Sequence, residues 1–186
     1  MKVYFIRHGE TQYNVENRVY GWAPAPLTEK GVEEVKRARK LIPKDFSVIF
    51  SSDLVRCKET AEMLNEELKL PVIFDARLRE RNFGTLEGKT WEEMGEVFYQ
   101  KDKTHQYDYQ SFGGESVEDV QGRVFSFIRD IMKNREKEKI LVVTHGGVIR
   151  LLHYLLGGKV LELPDVTNLS LHEFEFSDPS LYDKYL

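Results

Sequence analysis

Two short runs of β-forming apolar residues each break off at a histidine-glycine pair: Val3-Tyr4-Phe5-Ile6 ahead of Arg7-His8-Gly9, and Ile140-Leu141-Val142-Val143-Thr144 ahead of His145-Gly146. A strand that is apolar on both sides must be covered on both sides, which is the pattern of a parallel sheet between helices. Val48 to Ser51 and Val72 to Phe74 are further strand candidates. Helix-period segments lie between and beyond these runs: Thr28 to Leu41 with Val32, Val35 and Ala38 inward, Leu54 to Leu68 with Cys57, Ala61, Leu64 and Leu68 inward, and Ser116 to Asn134 with Val117, Val120, Val124, Phe127 and Ile131 inward. Ser116 reads as an N-cap with Glu118 and Asp119 near the positive helix end. A last helix is expected after Gly147, ending near Gly157-Gly158. Leu169-Ser170-Leu171 and Phe174-Glu175-Phe176 alternate out of phase with one another, which predicts a bulged edge strand.

The alternation of strands and helices predicts an α/β fold, a three-layer α/β/α sandwich around a mostly parallel central sheet. In such sheets ligands bind beyond the carboxyl ends of the strands, where both histidine-glycine pairs fall. The chain of 186 residues, 41% apolar, reads as a single domain over 1–186. Lys89 to Glu115 differs in character, polar and aromatic, with Trp91, Phe98, Tyr99, His105, Tyr107, Tyr109 and Phe112. This insertion reads as a helix plus irregular cover over the site, or as a segment that only packs.

Lys and Arg number 27 against 31 Asp and Glu, with no basic stripe, so nucleic acid is not an expected partner. Cys57 is the only cysteine, which excludes an intrachain disulfide and suits a reducing cytoplasm; it reads as a buried helix thiol. The apolar start is too short for a signal peptide, and no stretch approaches the roughly 20 apolar residues of a membrane helix. A cytoplasmic protein without a membrane partner is expected.

Arg7-His8-Gly9-Glu10-Thr11 joins a permanent cation, an imidazole and a glycine just after a buried strand. A guanidinium matches phosphate oxygens bidentately, and glycine lets main-chain N–H groups approach an anion. The pentapeptide resembles the signature of the histidine phosphatase superfamily, also called the phosphoglycerate mutase-like family. Further segments are similar to that family in the same order: Asn14; Tyr20-Gly21-Trp22; Leu27-Thr28 with Gly31; Ser51-Ser52-Asp53-Leu54-Val55-Arg56 with Thr60-Ala61; Leu78-Arg79-Glu80 with Phe83-Gly84, Glu87 and Gly88; Gly113-Gly114-Glu115-Ser116; and Val143-Thr144-His145-Gly146-Gly147.

The resemblance implies that His8 is the nucleophile, that Arg7, Arg56 and His145 surround the transferred phosphoryl group, and that Glu80 is the general acid. It places Thr11, Asn14, Tyr20, Gly21 and Gly146 where relatives contact substrate. The chemistry is coherent on its own terms: a phosphate monoester dianion repels nucleophiles and has a poor leaving group, so cations must neutralise its oxygens and an acid must protonate the bridging one. His8 has to be neutral at the attacking nitrogen, with the other nitrogen donating to a main-chain carbonyl. Taken singly, His145 reads equally as a satisfied strand-end histidine, Arg56 as a solvated helix residue and Glu80 as half of a surface ion pair with Arg79 or Arg81. Glu10, Glu16 and Arg18 read as loop scaffold, His153 as a helix residue and His172 as a strand-face residue.

No paired metal-ligand spacing joins the five histidines, and no metal or cofactor is expected. The expected partner is a small-molecule phosphate monoester: α-ribazole phosphate, phosphoserine, a sugar phosphate or a phosphoglycerate. The mutases of the family carry an adjacent arginine pair in the central insertion; here Lys101, Lys103 and His105 are its only positive candidates, which favours hydrolysis and argues against a polyphosphorylated substrate. Mutase-type transfer and a non-catalytic phosphate-binding protein are the alternatives, and the family tendency makes a homodimer possible. One departure is Pro24, within Ala23-Pro24-Ala25-Pro26, where relatives commonly place an aspartate.

Overall fold

A computed structural model describes residues 1–157, 165–180 and 182. The sheet contains β1 (Lys2–Arg7), β2 (Val48–Ser51), β3 (Val72–Phe74), β4 (Ile140–Thr144) and β5 (Leu171–Glu175), in the order β3-β2-β4-β1-β5. All pairings are parallel except β1 with β5. Two helices, α2 (Glu29–Leu41) and α3 (Val55–Leu68), cover one face; α6 (Val117–Asn134) and α7 (Gly146–Leu155) cover the other.

Strand alternation sorts the core into these two layers. Val3, Phe5, Val48, Phe50, Ile140 and Val142 meet Val120, Val124, Phe127, Ile128 and Ile131 of α6 and Ile149 and Leu152 of α7. Ile6, Ile49, Leu141 and Val143 meet Val35 of α2 and Cys57, Ala61 and Leu64 of α3. The strands read as unbroken apolar runs because both of their faces are buried. Val32 and Ala38 of α2 and Leu68 of α3 are only half-buried, so the inward stripe of each helix is narrower than its sequence period implies. Cys57 is buried on its helix, and burial pushes its thiol up to about 12.

Caps fix where the helices begin. Thr28 accepts from the Gly31 N–H to start α2, and Ser116 forms a reciprocal capping box with Asp119 to start α6. α7 begins two residues earlier than the sequence suggests, with His145 itself as its N-cap, and Gly157 follows it at φ +123°. Gly158 lies outside the described residues.

The last strand runs without the expected bulge. The register from Lys2↔Glu175 to Ile6↔Leu171 is continuous, so the two alternations serve opposite faces of one strand, Phe174 and Phe176 on the α6/α7 side and Leu171 on the other; Leu169 packs on that second side from a turn before the strand, at φ +61°. β5 is the edge strand.

The insertion carries α4 (Trp91–Met94), α5 (Glu96–Lys103) and a 3₁₀ turn at Gln110–Phe112; the short α1 (Gln12–Val15) lies on the other side of the site. Tyr107 and Tyr109 are buried, while Phe98, Phe112 and Trp91 pack against the same larger core. Arg81 and Asp102 clamp the insertion to the segment after β3 with a buried ion pair at 3.0 Å. Most of the insertion is therefore packing, and Trp91 is the part of it that reaches the site wall. No helix among the described residues is long and apolar enough to cross a membrane.

Candidate active site

β1 and β4 are neighbours in register, Arg7 opposite Thr144, and the ladder extends one step further as the His8 N–H donates to the Thr144 carbonyl at 3.0 Å. Parallel pairing thus brings the two histidine-glycine pairs side by side, with the His8 and His145 ring centroids 5.2 Å apart. The His8 Nδ1–H donates to the Gly9 carbonyl at 2.7 Å, which leaves Nε2 without a proton, and the Tyr20 hydroxyl stands 3.5 Å from it. Burial and the guanidinium groups of Arg56 and Arg7 hold this imidazole well below its ordinary range. At neutral pH His8 is uncharged with a lone pair at Nε2.

Arg56 is buried on the first turn of α3, its guanidinium lying over the Tyr20 ring at 4.5 Å and donating from Nη2 to the Gly21 carbonyl at 2.8 Å. Its Nε donates to His145 Nδ1 at 3.2 Å. Because an arginine Nε is always a donor, His145 Nδ1 is bare and its proton is on Nε2, which donates to Ser52 Oγ at 2.8 Å. Both His145 nitrogens therefore meet protein groups: the residue stands beside His8 and orients Arg56, with no free N–H toward a phosphoryl group. Burial and Arg56 hold it well below its ordinary range.

Glu80 is half-buried, and its carboxylate accepts the Gly147 N–H, in the first turn of α7, and its neighbour's Arg81 N–H, each at 2.9 Å. Any side chain at position 147 would run into that carboxylate. Burial pushes its pKa up, but Arg81, Arg150 and the two N–H donors more than offset this and leave it below the usual carboxylate range. The loop is braced from beneath. Arg123 donates to the carbonyls of Arg77, Arg79 and Glu80 and pairs in a fork with Glu115, whose carboxylate also accepts the Asn82 N–H. Asp53 holds Arg79 bidentately at 2.6 Å. The motifs around Glu115 and Asp53 are thus struts for the Glu80 segment.

A cavity of about 340 Å³ opens here, lined by Arg7, Asn14, Tyr20, Gly21, Arg56 and Glu80 from the sequence reading, and by Tyr13, Arg18, Arg81, Phe83, Trp91, Arg150 and Asn168 among others. His8 and His145, both buried, are not part of this lining, and Thr11 and Gly146 also lie behind the wall. Thr11 caps α1 and its hydroxyl is taken up by Asn14; Gly146 makes room for the guanidinium groups of Arg150 and Arg7. Asn14 accepts on its oxygen from Thr11 and Asn168. Glu87 accepts the Trp22 N–H at 2.7 Å and so fixes the Tyr20-Gly21-Trp22 loop; Pro24 in the following stretch is exposed and lines no part of this cavity. Glu10 and Glu16 act as loop braces, on Thr28 with Lys30 and on Arg18.

The positive charge expected from the insertion alone has to be corrected. Lys101, Lys103 and His105 line no part of the cavity, yet Arg81 and Arg150 enter it from other elements. Arg150 has no hydrogen-bond or ion-pair partner at contact distance among the described residues, and burial followed by Arg81 lowers its pKa. It was findable: it stands four residues after Gly146 and so shares its helix face. Asn168 left no signal, being a lone amide in a turn. Among the described residues no three His, Cys, Asp or Glu side chains gather as a metal cluster.

A three-layer α/β fold with paired histidine-glycine strand ends around an arginine-lined cavity defines a phosphoglycerate mutase-like protein. Residues 3–181 match the model of the histidine phosphatase superfamily (branch 1), and the chain belongs to that superfamily. It is 36% identical over 168 residues to the 2,3-bisphosphoglycerate-dependent phosphoglycerate mutase of Methylobacterium sp. (strain 4-46), covering 84% of this chain and 80% of that one. Among solved structures it resembles phosphoglycerate mutase from Thermus thermophilus, with TM-score 0.73, 34% identity and 88% of each chain covered. It also resembles a protein named mycobacterial hydrolase 1, with TM-score 0.79, 28% identity, and 92% of this chain and 90% of that one covered.

Proposed function

We propose that this chain is a metal-independent phosphomonoesterase acting on a small phosphorylated metabolite through a phosphohistidine. The observation that carries the reading is His8: its proton is fixed on Nδ1 by Gly9, so an uncharged Nε2 is available beside guanidinium groups that match a phosphate dianion. Arg7 and Arg56 hold the equatorial oxygens, His8 Nε2 attacks phosphorus, the bridging P–O bond breaks, and Glu80 gives its proton to the leaving alkoxide. Glu80, now a carboxylate, takes a proton from water; the hydroxide attacks phosphorus, the P–N bond breaks, and phosphate and free His8 result. The lone buried thiol fits a cytoplasmic setting.

Arg150 supports a second reading, mutase-type transfer, in which the phosphoryl group returns to another hydroxyl of an anionic molecule. An unpartnered cation in the wall suits a substrate with an additional negative group, and two of the similar proteins above are named mutases.

The test is phosphate release from a panel of monoesters, including α-ribazole phosphate, phosphoserine and sugar phosphates, in EDTA, with His8→Ala in parallel. Release that survives chelation and is lost in the variant is the expected result. A requirement for divalent metal, or activity retained by His8→Ala, overturns the mechanism; label passing to a second phosphoglycerate rather than to water selects the mutase.

A further inference from the structure

Among the groups on the cavity wall without a role in this mechanism, Asn168 is the one that touches the nucleophile's own main chain. Its Nδ2 donates to the main-chain carbonyl of His8 at 2.9 Å and approaches Asn14 Oδ1 at 3.4 Å. The turn that carries it clasps the nucleophile segment at four points. The Val166 carbonyl accepts from Arg7 Nη1 at 2.7 Å, the Leu169 N–H donates to the Arg7 carbonyl at 3.1 Å, and the Arg7 N–H donates to the Ser170 carbonyl at 3.3 Å. With Asn168 on His8, every main-chain polar group of Arg7 and the His8 carbonyl are held from this one side.

The turn is itself constrained. Leu169 is at φ +61°, a region that side chains with a Cβ rarely adopt, and it persists because its neighbours over-determine it. A chain of hydrogen bonds with only one possible direction supports it. Ser170 donates its single hydroxyl proton to the Thr167 carbonyl at 2.7 Å, so its oxygen accepts from His172 Nε2–H at 2.8 Å. His172 Nδ1 is then bare and accepts from His153 Nε2–H at 3.0 Å. Two histidines without a place in the chemistry thereby anchor the turn to α7, the helix whose N-terminus holds Glu80.

The geometry points to Asn168 as a positioning residue for the nucleophile, acting through the His8 carbonyl, with the Ser170–His172–His153 chain fixing the turn that presents it. The inference rests on His8 being the nucleophile. Misplacing a reacting group by about an ångström costs on the order of 100-fold, so Asn168→Ala should lower kcat by about 10- to 100-fold with KM within about twofold, and slow single-turnover phosphorylation of His8 by the same factor. Ser170→Ala, which touches no cavity wall, should act in the same direction by a smaller factor. Asn168→Asp, of the same shape but without the N–H donors, replaces the alanine variant if that one fails to fold. An unchanged kcat in Asn168→Ala, or a rise in KM alone, overturns the inference, the latter making Asn168 a ground-state substrate contact. His8→Ala distinguishes the two levels: if it is inactive while Asn168→Ala is unimpaired, only the positioning role fails; if it is active, the nucleophile assignment fails with it.

Discussion

Arg81, Arg150 and the Gly147 and Arg81 N–H groups keep Glu80 ionised against the pull of burial, whereas protonating a leaving group requires its acid form. An arriving phosphate dianion supplies the correction, since a nearby like charge disfavours the carboxylate and raises its pKa. The alkaline limb of kcat should therefore lie at higher pH than that of kcat/KM, because the first reports the complex and the second the free enzyme. The limb from His8 protonation should lie well below pH 6.5, as its imidazole is depressed. Glu80→Gln should lower turnover of a good monoester by about 10²–10⁴, and an unchanged rate would remove Glu80 from the chemistry. Gly147→Ala separates stability from function: alanine suits a helix better by up to ~1 kcal/mol, yet its Cβ displaces the Glu80 carboxylate. A melting temperature that holds or rises while kcat falls is the expected result, measured by calorimetry beside the phosphate assay.

Arg123 on α6 braces the Glu80 segment by three donations to carbonyls and a fork to Glu115. Arg123→Ala removes the side-chain donor from the Arg77 and Arg79 carbonyls and the ion-pair partner from a half-buried carboxylate, while Trp22 Nε1 still serves the Glu80 carbonyl and the Asn82 N–H still serves Glu115, so it should cost about 2–4 kcal/mol in denaturant melts and lower kcat more than it changes KM. The strands were legible because parallel pairing buries short runs whole, and the helices because their caps are local chemistry. The last strand was misread because apolar residues on its two opposite faces look, in sequence, like one face thrown out of phase by a bulge. At the site, the strand-end residues His8, Arg7 and His145 were legible as a group. Arg150 was legible in principle from its spacing to Gly146, but Arg81 and Asn168 were not, since what brings them there is the tertiary path of two separate segments rather than any spacing. His145 shows the limit from the other side: its position could be read, but the engagement of both its nitrogens depends on Arg56 and Ser52 from α3 and the loop before it.

Three imidazoles are buried in the uncharged form: His8, His145 and His105, the last brought down to about 4 by burial and by Arg81 and Arg150. The unfolded chain takes up protons below pH 6.5 that the folded one refuses, so stability is full above that pH and falls as pH drops toward the folded values. For His105 alone the loss between pH 6.5 and about 4 reaches roughly 3 kcal/mol. His105→Asn, which tolerates the local φ of +54°, should flatten the acid limb of a denaturant-melt series without moving the pH profile of catalysis. The sheet order has a consequence in time. β1, near the start of the chain, lies between β4 and β5, and Phe5 is paired with both Val142 and His172. At the usual 5–20 residues per second, roughly 10 to 30 seconds of synthesis separate β1 from its second neighbour. For most of that interval, until β4 is made, a strand built to be covered on every side has neither edge partner, and it still lacks one until β5 follows, so a ribosome-bound chain short of β5 should bind a holdase chaperone that the finished protein ignores.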